Sequence, residues 1–81
     1  MNEEQIQQAI ENGIPGAQVM VDGDGRHFNA TIVSEKFAGM KRLAQHRLVY
    51  DALGDNFATE ALHALAIKTY TPEQWANIQG Q

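Results

Sequence analysis

The residues of this sequence best suited to chemistry are three imidazoles, His27, His46 and His63, with no cysteine beside them. Neutral imidazole ligates iron and zinc. Without a thiolate the chain has no disulfide, no thiol nucleophile and no all-cysteine metal site. On spacing alone, a lone histidine at the start of a strand, as His63 reads, is more often structural than ligating. His27 falls near the tip of an expected hairpin, where a histidine is ordinarily exposed and polar. His46 stands mid-helix between Gln45 and Arg47 and reads as a surface or capping group. A free imidazole titrates at about pH 6.5, but a pH response does not follow from the mere presence of three.

Other constellations fall short of a site. Ser34, Glu35 and the scattered carboxylates form no nucleophile–base pair. The histidines lack the i, i+4 spacing of a metalloprotease helix, so no enzyme is expected. The Asp22-Gly23-Asp24-Gly25 run would need a glutamate at the twelfth position of a calcium loop, where this sequence has Val33, inside an expected strand. Gly23 and Gly25 lie between two strands, whereas a phosphate loop joins a strand to a helix.

Ten acidic and six basic residues give a net charge of −4, which disfavours non-specific nucleic-acid binding. Four of the six bases, Lys36, Lys41, Arg42 and Arg47, fall in residues 36–47, where there is no acid. The plain reading is a solvated helix face. The other is a local positive patch that sets Lys41, Arg42 and Arg47 on DNA phosphates.

The elements that must hold these residues follow from periodicity and punctuation. Asn2 can cap a first helix whose Ile6, Ala9 and Ile10 form one apolar stripe. Asn12-Gly13 and Pro15-Gly16 end it. Residues 17–21 and 27–34 alternate like strands on either side of the DGDG turn. Ser34-Glu35 can cap a short turn. Residues 40–53 (MKRLAQHRLVYDAL) read as the longest helix, with Met40, Leu43, Ala44, Leu48, Val49, Ala52 and Leu53 as its apolar face and Gly54 closing it. Asp55-Asn56 would cap a short helix over 57–61. Residues 63–70 would form the last strand, opened by His63. Thr71 and Pro72 start a final helix anchored by Trp75 and Ile78. The order is α-β-β-α-α-β-α. The two-helix link between the second and third strands is long enough for a crossover. A right-handed crossover makes these strands parallel and sets His27 and His63 at one end of the sheet.

At 81 residues a single domain over 1–81 is expected, burying about 60–65% of its unfolded surface. The acidic, amphipathic start is unlike a signal peptide, and no apolar run reaches the roughly 20 residues of a membrane span. A cytoplasmic protein without a membrane partner is expected.

Three stretches, DGDGRHF, FAGMKRLAQHRLVYDAL and HALAIKTYTPEQW, resemble the BolA family, and the resemblance runs over nearly the whole chain. The third is the most specific, with its histidine, alternating strand and TPxxW ending. The resemblance implies an α/β fold similar to class II KH domains, with three strands in a mixed sheet. It implies that His63 ligates a [2Fe–2S] cluster shared with a monothiol glutaredoxin. A second ligand would come from the loop between the first two strands, where this chain offers His27. The cluster would bridge to the partner and be absent from the isolated chain, a monomer or weak homodimer. The last strand and helix, with Lys68, Tyr70 and Trp75, would be the docking surface. The resemblance also links the chain to iron homeostasis, cluster transfer, stress response and, for some members, DNA binding. A KH-type clamp is not expected, because the helix connection Gly54-Asp55-Asn56-Phe57 lacks the second glycine of GXXG and carries a carboxylate that would repel phosphate.

Overall fold

A computed structural model describes residues 2–80 of the chain. Helix α1 (Glu3–Gly13) leads to strands β1 (Gln18–Gly23) and β2 (Phe28–Val33), then to a 3₁₀ turn at Glu35–Phe37. Helix α2 (Arg42–Leu53), a second 3₁₀ turn (Gly54–Asn56) and the short helix α3 (Thr59–His63) complete the crossover. Strand β3 (Leu65–Tyr70) and helix α4 (Pro72–Gln79) follow. The α-β-β-α-α-β-α order and the mixed sheet expected from the sequence are both present. The sheet runs β1-β2-β3, with β1 antiparallel to β2 and β2 parallel to β3.

Local chemistry accounts for the ends of these elements. At α1 the Asn2 side chain accepts from the Gln5 N–H while the Gln5 side chain accepts from the Asn2 N–H, a reciprocal cap. Thr71 and Gln74 repeat it at α4, and Pro72 fills the first helical position, where no N–H is needed. Ser34 accepts from the Lys36 N–H and starts the first 3₁₀ turn.

One face of the sheet carries the core. Ile6, Ile10 and Ile14 pack with Val49 and Leu53 of α2 onto Val19, Phe28, Ala30, Ile32 and Leu65. Each buried isoleucine contributes about 1.5–3 kcal/mol of transfer free energy. The helices approach closely at Gly13, where a β-carbon would lie 2.3 Å from the Ala52 β-carbon. Gly13 is therefore needed for helix contact. It is the last residue of α1 and does not take the positive φ of a glycine cap.

Five expectations are corrected. The short helix lies at Thr59–His63, not 57–61. Gly54, at φ +60°, carries the chain straight from α2 into a 3₁₀ turn, so Asp55-Asn56 serves that turn and Asn56 donates back to the Leu53 carbonyl. His63 accordingly ends α3, and β3 begins at Leu65. On α2, Leu43 is 70% exposed and Ala44 is exposed, while Gln45 is buried with Val49 and Leu53. Ile78 is 44% exposed and does not anchor α4. Among the described residues, no helix is long and apolar enough to cross a membrane.

Candidate functional site

The parallel pairing of β2 with β3 matches Phe28 with Leu65. At that end the Phe28 N–H donates to the Ala64 carbonyl at 2.8 Å. His27 directly precedes Phe28 and His63 directly precedes Ala64. One backbone hydrogen bond thus sets the two histidines on neighbouring chain segments at the same end of the sheet. Both are exposed.

The hairpin loop that carries His27 is organised by Asp24. Its Oδ1 accepts from the N–H groups of His27 (2.7 Å) and Arg26 (2.9 Å), and its own N–H donates to the His27 carbonyl at 3.1 Å. The His27 and Arg26 hydrogen bonds hold the Asp24 carboxyl below its ordinary range. The second oxygen, Oδ2, lies 3.9 Å from His27 Nδ1. His63 ends α3, and the following Ala64 N–H turns back to the Ala61 carbonyl at 3.1 Å. Among the described residues, no three His, Cys, Asp or Glu side chains gather into a metal-holding group. Two exposed imidazoles suit the histidine half of a mixed histidine–thiolate donor set.

His46 is elsewhere. It is half-buried on α2, and desolvation followed by the Arg42 charge one turn earlier lowers its pKa.

The expected docking residues form a coherent strip. Lys68 and Tyr70 alternate onto the sheet face opposite the core. The Tyr70 and Trp75 rings lie 5.4 Å apart at a 42° tilt, within the favourable range for aromatic pairs. The Trp75 Nε1 is buried without a hydrogen-bond partner among the described residues. The basic residues are less coherent. Lys41 and Arg42 stand together at the start of α2, while Arg47, five residues on, lies about 140° around the helix from Arg42. All three are exposed.

Residues 5–74 match the family model of BolA-like proteins. The chain belongs to the BolA family. It is 40% identical over 76 residues to the acid stress protein IbaG of Escherichia coli, covering 94% of this chain and 90% of that one. It is 51% identical over 56 residues to the DNA-binding transcriptional regulator BolA of Vibrio cholerae, covering 69% of this chain and 52% of that one. A solved BolA homologue from Coxiella burnetii superposes with a TM-score of 0.81 at 40% identity, covering 94% of this chain and 97% of the other.

In this BolA-family chain the residue that sequence reasoning missed is Gln45. Its Nε2 donates to the carbonyls of Phe37 (3.1 Å) and Met40 (3.0 Å), and its Oε1 accepts from the Thr69 hydroxyl at 2.6 Å. The available signal was its phase, one turn before Val49 and two before Leu53 on the buried stripe.

Proposed function

We propose that this BolA-family chain is an adaptor that binds a monothiol glutaredoxin and shares with it a bridging [2Fe–2S] cluster, in iron–sulfur trafficking, iron homeostasis and the stress response. The observation that carries the reading is the Phe28–Ala64 hydrogen bond, which joins the segments carrying His27 and His63 at one end of the sheet, with both histidines exposed. His63 would be one ligand and His27 the second, with Asp24 fixing the His27 loop. The cluster, when bound, would supply transferable iron and sulfide. Its remaining ligands would be thiolates from the partner, since this chain has none. Lys68, Tyr70 and Trp75 would meet that partner. The reading carries with it a cytoplasmic location.

The test reconstitutes iron and sulfide with both proteins and records visible absorption and circular dichroism. His63→Ala is expected to abolish the spectrum of the heterodimer, and His27→Ala to weaken it or make it labile. An unchanged spectrum and unchanged cluster lifetime in His63→Ala would refute the ligand assignment.

A second reading, a DNA-binding transcriptional regulator, draws support from the Vibrio cholerae relative's name and from the pairing of Lys41 with Arg42 at the start of α2. It predicts affinity that falls steeply with salt, and a salt slope reduced by about 1 for each of Lys41→Ala, Arg42→Ala and Arg47→Ala. A flat salt response, or no binding at about 0.1 M salt, would count against it.

A further inference from the structure

We propose that the free edge of β3 docks an extended acidic segment of a partner protein, which adds to the sheet as a fourth strand and sets its carboxylates against Arg42, His46 and Lys68. The ladder identifies the groups available. The Ala64 carbonyl takes the Phe28 N–H, and the Tyr70 carbonyl takes the Ser34 N–H. Alternation along a parallel pair then commits the backbone of Ala66, Lys68 and Tyr70 to β2. Leu65, Ile67 and Thr69 turn their N–H and C=O groups outward. Among the described residues no hydrogen bond reaches those backbone groups from the outer side. Such an edge is a template for strand addition unless it is covered.

This edge lies in a trough. A hollow of about 240 Å³ is lined by Arg42, His46, Ile67, Lys68, Thr69 and Tyr70. A second hollow shares Arg42, Thr69 and Tyr70 and continues to Gln74 and Ile78 of α4. Residues 67–70 alone span roughly 13 Å at the usual rise of a strand. Ile67 and the exposed Ile78 offer apolar surface along the way.

Charge decides the occupant. No aspartate or glutamate lines either hollow, although acids outnumber bases ten to six in the chain. Among the described residues, neither Arg42 nor Lys68 has a carboxylate within ion-pair distance. Arg42 and His46 belong to the helix-covered side of the sheet and Lys68 to the other. Consecutive acids on an added strand point to opposite sides and would each meet a cation. Edge-to-edge pairing of two copies would instead bring these cations together. The trough contains neither His27 nor His63, so this inference does not rest on the cluster ligands, although it shares Lys68 and Tyr70 with the surface proposed for the glutaredoxin.

The test uses the full ¹⁵N-labelled chain without iron and a fluorescein-labelled eight-residue peptide of glutamate and valine. Its controls are the lysine-for-glutamate peptide and glutamate peptides methylated at alternate backbone nitrogens in both phases. The expected result is amide shifts at Arg42, His46 and residues 67–70, with slowed solvent exchange at Ile67 and Thr69. The glutamate peptide should bind about tenfold tighter than the lysine peptide, and Arg42→Gln or Lys68→Gln should each weaken it severalfold. Under the proposal one methylated phase binds and the other does not, so equal binding by both methylated peptides, or by the lysine peptide, would overturn it, as would the absence of any shift. Protection of Ile67 and Thr69 by self-association would assign the edge to a second copy instead. A DNA duplex that shifts the same amides more strongly than the peptide would assign the trough to phosphate.

Discussion

The Thr69 hydroxyl donates to the Gln45 side-chain carbonyl across 2.6 Å and so ties the first half of α2 to the outer strand. With its other end Gln45 satisfies the carbonyls of Phe37 and Met40, which close the turn before α2. Removing the amide leaves the Met40 carbonyl and the Thr69 hydroxyl without this partner in a poorly solvated place, while the Phe37 carbonyl keeps the Met40 N–H at 3.0 Å. Gln45→Ala is expected to cost about 2–3 kcal/mol in urea denaturation. Thr69→Val should cost about 1 kcal/mol, and the double variant less than the sum, because both act in one network.

Gly13→Ala sets two effects against each other. Alanine improves a helix by about 0.5–1 kcal/mol over glycine. Here the new methyl would meet the Ala52 α-carbon at 2.6 Å as well as its β-carbon, so α1 and α2 must move apart. Overpacking of this kind costs about 1–3 kcal/mol, so it outweighs the helix gain. The expected outcome is a lower thermal midpoint for Gly13→Ala, partly restored by adding Ala52→Gly.

The Asp24 carboxylate should govern the order of the His27 loop with pH. Its folded-state pKa lies below its ordinary 3.8. The loop stabilisation is therefore complete above about pH 3.8 and is lost as pH falls from there through the lower folded value. Amide signals of Arg26 and His27 should shift and broaden over that acid range. In Asp24→Asn the dependence should flatten, and if the heterodimer's cluster uses His27, its lifetime should shorten. Unchanged amide titrations in Asp24→Asn would show that another group holds the loop.

Much of this architecture is readable from residue types. Alternation around Asp22–Gly25 marks the hairpin, and Thr71-Pro72 with Gln74 marks the start of α4 because cap and ring constraints act within a few residues. The parallel return of β3 follows from the length of the crossover and its handedness. Two features were hidden for physical reasons. Gln45 looks like surface because polarity alone does not reveal an amide whose hydrogen bonds are met inside, at Phe37, Met40 and Thr69. The boundary at His63 was misplaced because Asp55-Asn56 is a good cap pair, and only the φ of Gly54 shows that the chain turns there instead. The histidine pair depends on strand register. Residue spacing suggested one end of the sheet, but only the Phe28–Leu65 match sets His27 and His63 on adjoining segments. The β3 trough depends on side chains from α2, β3 and α4 that no local pattern links.

The hydrogen bond from Phe28 to Ala64 is the end rung of its ladder. End rungs open more often than central ones. Each opening frees the segments carrying His27 and His63 to swing apart. The exchange rate of a single backbone proton, on Phe28, is therefore a built-in clock for how often the two histidine-bearing segments part. It can be read by hydrogen exchange without iron, partner or mutation.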